Sequence, residues 1–273
     1  MKKLIIEKID ALPPLPKSVL ELEEFRKMSK KEPLDLLKII EKDPLIITTV
    51  LRVANSAMFG FVSQVETPSR AISLLGINFT ISLALGSVIQ NLVKSNLDSY
   101  NVSTEDFMFS SNLASSLVNT WVSKISFDLK EDLLLPAFLQ ETGKFVISEA
   151  INDNDQVADF QNQLELSNNI SAVEKEFIGF TCARITANIF KHWHLSHNLI
   201  FSIGFVEDLE HCPKDYIKKA KILEIIKILC DIRKPLSDQN IKRALHKANE
   251  YGLDTEPLLQ SIDSIKFKLE NAL

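Results

Sequence analysis

Apolar residues in this chain recur mostly at three- and four-residue spacing, the repeat that lays one face of an α-helix on a core. Only seven glycines interrupt the pattern, so helix is predicted nearly throughout. Asp43-Pro44 and Thr67-Pro68 share one start signal. A capping oxygen precedes Pro at the first helical position, where its missing N–H costs nothing. The β-branched run Ile46 to Val50 has strand propensity. It follows directly on Asp43-Pro44, so helix is predicted there too. Ser171-Ala172-Val173-Glu174 reads as a capping box, opening a helix whose Ile178, Cys182, Ile185, Ile189 and Trp193 form one stripe.

These elements predict an all-α fold of two helical lobes, residues 1–94 and residues 105–273. The polar stretch 95–104 (SNLDSYNVST) reads as the connection. Residues 152–169 read as a second irregular segment. Residues 214–273 read as two or three amphipathic helices, broken near Lys234-Pro235 and near Thr255–Pro257.

Composition narrows the function classes. The net charge is -5, an acidic balance that argues against nucleic acid, whose binding needs basic residues to neutralise phosphates. Three widely spaced cysteines, Cys182, Cys212 and Cys230, form no C-x-x-C and no disulfide framework, which fits a reducing cytoplasm. The N-terminal apolar run ends at Glu7-Lys8, too short for a signal peptide. Ala71 to Val93 carries no charge and is long enough to span a membrane, yet it holds Ser73, Asn78, Thr80, Ser82, Ser87, Gln90 and Asn91. A buried helix is the better reading, so no membrane contact is expected.

Candidate chemistry is sparse. His192, His194 and His197 cluster, but only the last two can share a helix face, and no acidic or thiol partner lies nearby. Cys182 lies in an apolar stripe, the setting of an inert thiol. No nucleophile elbow, P-loop or dinucleotide fingerprint occurs. Gly76 and Gly86 sit within an apolar helical pattern, where close helix approach is the expected reason. Asn55, followed by Ser56, lies among apolar neighbours; a buried amide tying a helix end to the next loop is preferred over a ligand contact. Met58, Phe59 and Phe61, in the segment 58–62, form a candidate binding surface at the lobe seam, or else pack the lobes together.

Four segments recur in an order that resembles a known family: LPPLP (Leu12–Pro16), EKDPLIITTVLRVANSAMFG (Glu41–Gly60), TPSRAISLLG (Thr67–Gly76) and AFLQETGK (Ala137–Lys144). Together they resemble the HDOD family, the HD-related output domain of bacterial signalling proteins, with Asp43, Pro44, Asn55, Ser56, Gly76, Gly143 and Lys144 on its motif positions. The resemblance implies an N-terminal helical bundle followed by an HD-like helical domain. AFLQETGK is similar to the LLHDIGK segment of HD-type metal phosphohydrolases, with Gln140-Glu141 where that family has His-Asp. By the same resemblance Ser110 stands at an early His, Cys182 near a later one, Val206 and Glu207 near a pair of His, and Asp231 at the final Asp. No expected imidazole remains.

The resemblance thus implies a cytoplasmic, non-catalytic regulatory protein without cofactor or metal. It would act by binding a protein partner in a bacterial signalling pathway. Two alternatives stay open: a divergent phosphohydrolase or cyclic-dinucleotide phosphodiesterase using Glu141 and Asp231, and a nucleotide-sensing module that binds without hydrolysis.

Overall fold

Proline and a capping oxygen start two of the N-terminal helices, at Asp43-Pro44 and Thr67-Pro68, in a computed structural model that describes residues 1–61, 63–93, 95–167 and 169–271. Val62, in the candidate surface segment, and Lys94, at the expected lobe boundary, lie outside the described residues. Among those described, every regular element is helical. The N-terminal part runs α1 (Lys2–Asp10), α2 (Lys17–Lys27), α3 (Pro33–Ile40), α4 (Pro44–Ala54), α5 (Pro68–Leu75) and α6 (Ile77–Val93). Asp43 Oδ1 accepts from Leu45 N at 3.0 Å, and Thr67 Oγ1 from Arg70 N at 3.3 Å. The β-branched run is helical within α4, because burying Ile46, Val50 and Val53 outweighs a weak local preference.

The uncharged stretch 71–93 is two helices. They meet at 119° across Gly76, which has φ +84°. Open space surrounds the position of its missing Cβ, so backbone conformation, not the expected close approach, calls for glycine there. Gly86 does match that expectation: a Cβ would lie 2.2 Å from Cδ1 of Phe138. Among the described residues no single helix is long and apolar enough to cross a membrane.

The rest of the chain comprises α7 (Thr104–Leu117), a π-helical turn at Val118–Val122, α8 (Ser123–Ile125), α9 (Phe127–Leu139), α10 (Gly143–Asp153), α11 (Val157–Leu166), α12 (Ile170–Ile178), α13 (Cys182–His192), α14 (His197–Gly204), α15 (Lys214–Leu229), α16 (Asp238–Glu250) and α17 (Glu256–Glu270). Pro136 lies inside α9. A proline cannot donate to the carbonyl four residues back. That carbonyl, on Asp132, instead accepts from Asn198 Nδ2 at 2.7 Å, binding α14 to α9.

Helix α6 packs on α2 and α4 of the N-terminal part and on α9 of the C-terminal part. Helix α1 packs on α10 and α13, and Lys8 reaches Glu149 and Asp153 of α10 at 2.8 and 2.7 Å. Residues 2–10 therefore pack with the C-terminal part. Trp193 Nε1 donates to Pro13 O at 2.9 Å, which ties the LPPLP segment to the end of α13.

Three local expectations are corrected. Residues 152–169 are not irregular throughout, since α11 occupies most of them and buries Phe160 and Leu164. The stretch 95–104 is a connection, but a pinned one: Leu97, Ser99 and Tyr100 are buried, and Ser99 Oγ donates to Ser148 O at 3.1 Å. The capping box at Ser171 is absent. Asn169 caps α12 instead, Gly179 (φ +81°) ends it, and the apolar stripe runs on into the separate α13.

Candidate functional site

AFLQETGK makes the corner between α9 and α10, and its backbone is fixed by one threonine on α13. Gly143 N donates to Thr186 Oγ1 at 2.9 Å, and that hydroxyl donates onward to Gln140 O at 3.2 Å. The corner lies so close to α13 that a Cβ on Gly143 would fall 2.8 Å from Cys182 O. This contact aims the next residue, Lys144, into the interior, where its side chain is 1% exposed.

The Lys144 ammonium meets Glu174 Oε1 at 2.5 Å and Glu141 Oε2 at 2.9 Å, and lies 4.9 Å from the centre of the Tyr100 ring. Glu174, fully buried on α12, also accepts from Tyr100 OH at 2.9 Å and from Cys182 N at 3.3 Å. The last contact sets its charge at the N-terminus of α13, where the helix dipole favours an anion. The other oxygen of Glu141 lies 3.3 Å from Lys227 on α15, and the Lys227 ammonium lies 2.8 Å from Glu207 Oε1. Ser171 Oγ donates to Glu207. The result is a chain of alternating charge, Glu174–Lys144–Glu141–Lys227–Glu207, threaded through five segments.

Charge outweighs burial along this chain. Burial alone would push both lysines toward neutrality, but Glu141 and Glu174 hold Lys144 above the ordinary lysine range, and Glu141 and Glu207 hold Lys227 well above it. Burial would raise Glu207, yet the Lys227 charge and its hydrogen bond lower it. Burial pushes the Cys182 thiol well up, and the Glu141 charge adds to this, so it is no nucleophile. Outward from Glu141 and Lys227 opens a cavity of about 490 Å³, lined also by Lys175, Glu207, Asp231 and Arg243.

Of the residues singled out from sequence, the structure brings Glu141, Lys144, Cys182, Glu207 and Asp231 to this one place. Asp231 lines the cavity, while its Oδ1 accepts from Arg233 N at 2.9 Å. Gln140 and Ser110 are not among the lining residues. Both are buried, and neither the Gln140 amide nor the Ser110 hydroxyl has a hydrogen-bond partner. His194 is exposed in the turn after α13, and His197 is exposed at the first residue of α14.

Asn55 lies outside the cavity and is exposed rather than buried. Its amide still ties the end of α4 to the following loop, donating to Leu51 O at 2.9 Å and Val65 O at 2.8 Å and accepting from Val65 N at 2.8 Å. Asn55→Leu leaves the Val65 groups unpaired and is expected to lower stability by about 1–2 kcal/mol in urea unfolding. A variant as stable as wild type would show that the bridge contributes nothing. Ser56 Oγ, next to it, is buried without a partner. In the candidate surface segment Met58 is 3% exposed and so presents no surface. Phe59 and Phe61 are half-buried, with Phe59 edge-on to Phe79 of α6 at 5.4 Å.

Two members of the charge chain, Lys227 and Glu174, and their neighbour Tyr100 escaped the sequence reading. Lys227 carried a usable signal, a lysine inside the apolar run IIKILC one turn before Asp231. Glu174 was assigned to a capping box, and Tyr100 to a connection; nothing local marks either as buried.

A model of the HDOD domain matches residues 12–209. The chain belongs to the HDOD family. A protein of Treponema pallidum (strain Nichols) is 23% identical over 217 residues, which cover 78% of this chain and 40% of that protein. The match thus spans 40% of the length of that relative. A crystal structure of a virulence factor from Campylobacter jejuni subsp. jejuni is 26% identical, with TM-score 0.57 over 98% of this chain and 100% of that one. A Shewanella amazonensis SB2B protein named as a phosphohydrolase shares the fold at 20% identity, with TM-score 0.67 over 98% of both chains. This chain therefore shares its fold with a protein so named.

That relation raises a divalent metal, and the residues present do not fit one. Metal-ligand imidazole and carboxylate must offer free lone pairs. Here the two oxygens of Glu141 face Lys144 and Lys227, Glu207 shares the Lys227 ammonium, and the Gln140 amide is turned into packed interior. Among the described residues no three His, Cys, Asp or Glu side chains are grouped to hold a metal ion.

Proposed function

We propose that this HDOD protein is a non-catalytic regulatory domain that acts by binding a protein partner or a signalling ligand. The observation that carries the reading is the pairing of Glu141 with both Lys144 and Lys227. Two ammonium groups beside this carboxylate balance its charge, which disfavours a divalent cation there and lowers its basicity toward water. The buried amide of Gln140 is a poor substitute for an imidazole in either role. The rival, a metal-dependent phosphodiesterase, needs Glu141 and Asp231 to act as ligands together, and Asp231 already gives one oxygen to its own turn while Glu141 is paired with two lysines.

The test is turnover. Purified protein supplied with Mn²⁺ or Fe²⁺ is expected to hydrolyse cyclic dinucleotides no faster than a blank. Metal-dependent turnover that Glu141→Ala abolishes would refute the reading. A second reading, nucleotide sensing without hydrolysis, draws on the 490 Å³ cavity beside the charge chain. A saturable thermal shift with a nucleotide, lost in Lys175→Glu, would favour it.

A further inference from the structure

Lys227 is an odd residue for its position. It lies on α15 between Ile226 and Ile228, in a helix whose Ile222, Leu223, Ile225, Ile226 and Leu229 are fully buried. Its side chain is 12% exposed. Lysine is rarely taken so far out of water unless something demands its charge. What demands it here is a pair of carboxylates from distant parts of the chain. Glu141 stands at the corner after α9 and Glu207 beyond the end of α14, and both have an oxygen within 3.3 Å of one point, the Lys227 nitrogen. Bare carboxylates converging on a point inside a protein repel strongly, and a cation must sit between them for the three segments to meet. Ser171 Oγ donates to the same Glu207 oxygen that faces Lys227, a second contact holding that carboxylate in place.

We propose that Lys227 is a resident cation: its ammonium joins the α9–α10 corner, the end of α14 and α15 as a divalent ion would, and by filling that point it keeps one out. The inference deepens the non-catalytic reading and rests on it. It assigns the exclusion of metal to one side chain. It also implies that removing the ammonium uncovers an oxygen-ligand site made of Glu141 and Glu207, with Asp231 at the cavity wall one turn along. Oxygen-rich sites of this kind suit Mn²⁺.

The experiment is rescue by metal. Wild type is expected to show no saturable rise in thermal midpoint with Mn²⁺. Lys227→Ala should unfold at lower temperature in metal-free buffer and recover part of the loss as Mn²⁺ is added, with one ion bound per chain by calorimetry. Lys227→Ala combined with Glu141→Gln should lose the response, and Lys227→Arg, which keeps the charge, should stay blind to Mn²⁺. Should Lys227→Ala not fold without metal, its refolding from urea on addition of Mn²⁺ reads the same effect. The proposal is overturned if wild type takes up Mn²⁺ in the same saturable way, if Lys227→Arg responds as Lys227→Ala does, or if Lys227→Ala neither gains stability nor refolds with the ion. A silent Lys227→Ala beside an inactive wild type sinks this inference alone. Turnover by wild type sinks the functional reading beneath it.

Discussion

Lys144→Met is expected to destabilise the protein by about 3–5 kcal/mol, the cost of leaving a buried charge without its partner. Glu174 is fully buried and would keep only the Tyr100 hydroxyl and the Cys182 amide as donors. Glu141 would lose its 2.9 Å contact at the same time. Urea unfolding measures the loss directly. Replacing both partners, Lys144→Met with Glu174→Leu, should recover much of it, since a well-packed apolar pair is often as stable as a buried ion pair. The prediction fails if Lys144→Met alone costs less than about 1 kcal/mol, a loss typical of an exposed ion pair.

The same charges set the pH range of stability. Lys144 and Lys227 have folded pKa values raised above 10.5, so their contribution is complete below pH 10.5 and lost as pH rises through the folded values. Glu207 has a folded pKa lowered from 4.5, so its contribution is complete above pH 4.5 and lost as pH falls through the folded value. Stability from the charge chain is therefore flat between those limits. Lys144→Met should shrink the alkaline fall while leaving the acid one in place.

Fold and site differ in how far the sequence disclosed them. Helix starts at Asp43-Pro44 and Thr67-Pro68 were legible because the cap oxygen, the proline and the apolar repeat lie within a few residues of one another. The break at Gly76 was not, since an uncharged run looks the same whether straight or bent at 119°. The corner at Gln140 to Lys144 was legible through its likeness to a metal-binding segment, and that likeness also showed what was missing. The partners of that corner's charged residues were hidden. Glu174 is separated from Lys144 by 30 residues and Lys227 from Glu141 by 86, and pairings at such distances are set by helix packing. Local pattern even misled: Glu174 sits three residues after a serine, as a capping box requires, but its side chain turns inward to the ammonium.

Gly143→Ala is expected to be the most damaging single methyl in the HDOD motif, costing about 3 kcal/mol, the upper part of the range for an overpacked core. The new Cβ would stand 2.8 Å from Cys182 O, 2.9 Å from Thr186 Oγ1 and 3.0 Å from Thr186 N. Two of those atoms are main chain in the first two turns of α13, and a helix cannot swing one peptide aside as a side chain changes rotamer. The relief available is for α10 to move off α13. That movement would stretch the Gly143 to Thr186 hydrogen bond and withdraw Lys144 from Glu174, so the methyl would weaken the charge chain as well as the packing. Adding Thr186→Ala removes the hydroxyl but neither main-chain contact, so it should rescue little. Urea unfolding of the two variants decides the matter. Full recovery in the double variant would mean that the hydroxyl, not the backbone of α13, dictates glycine at this corner.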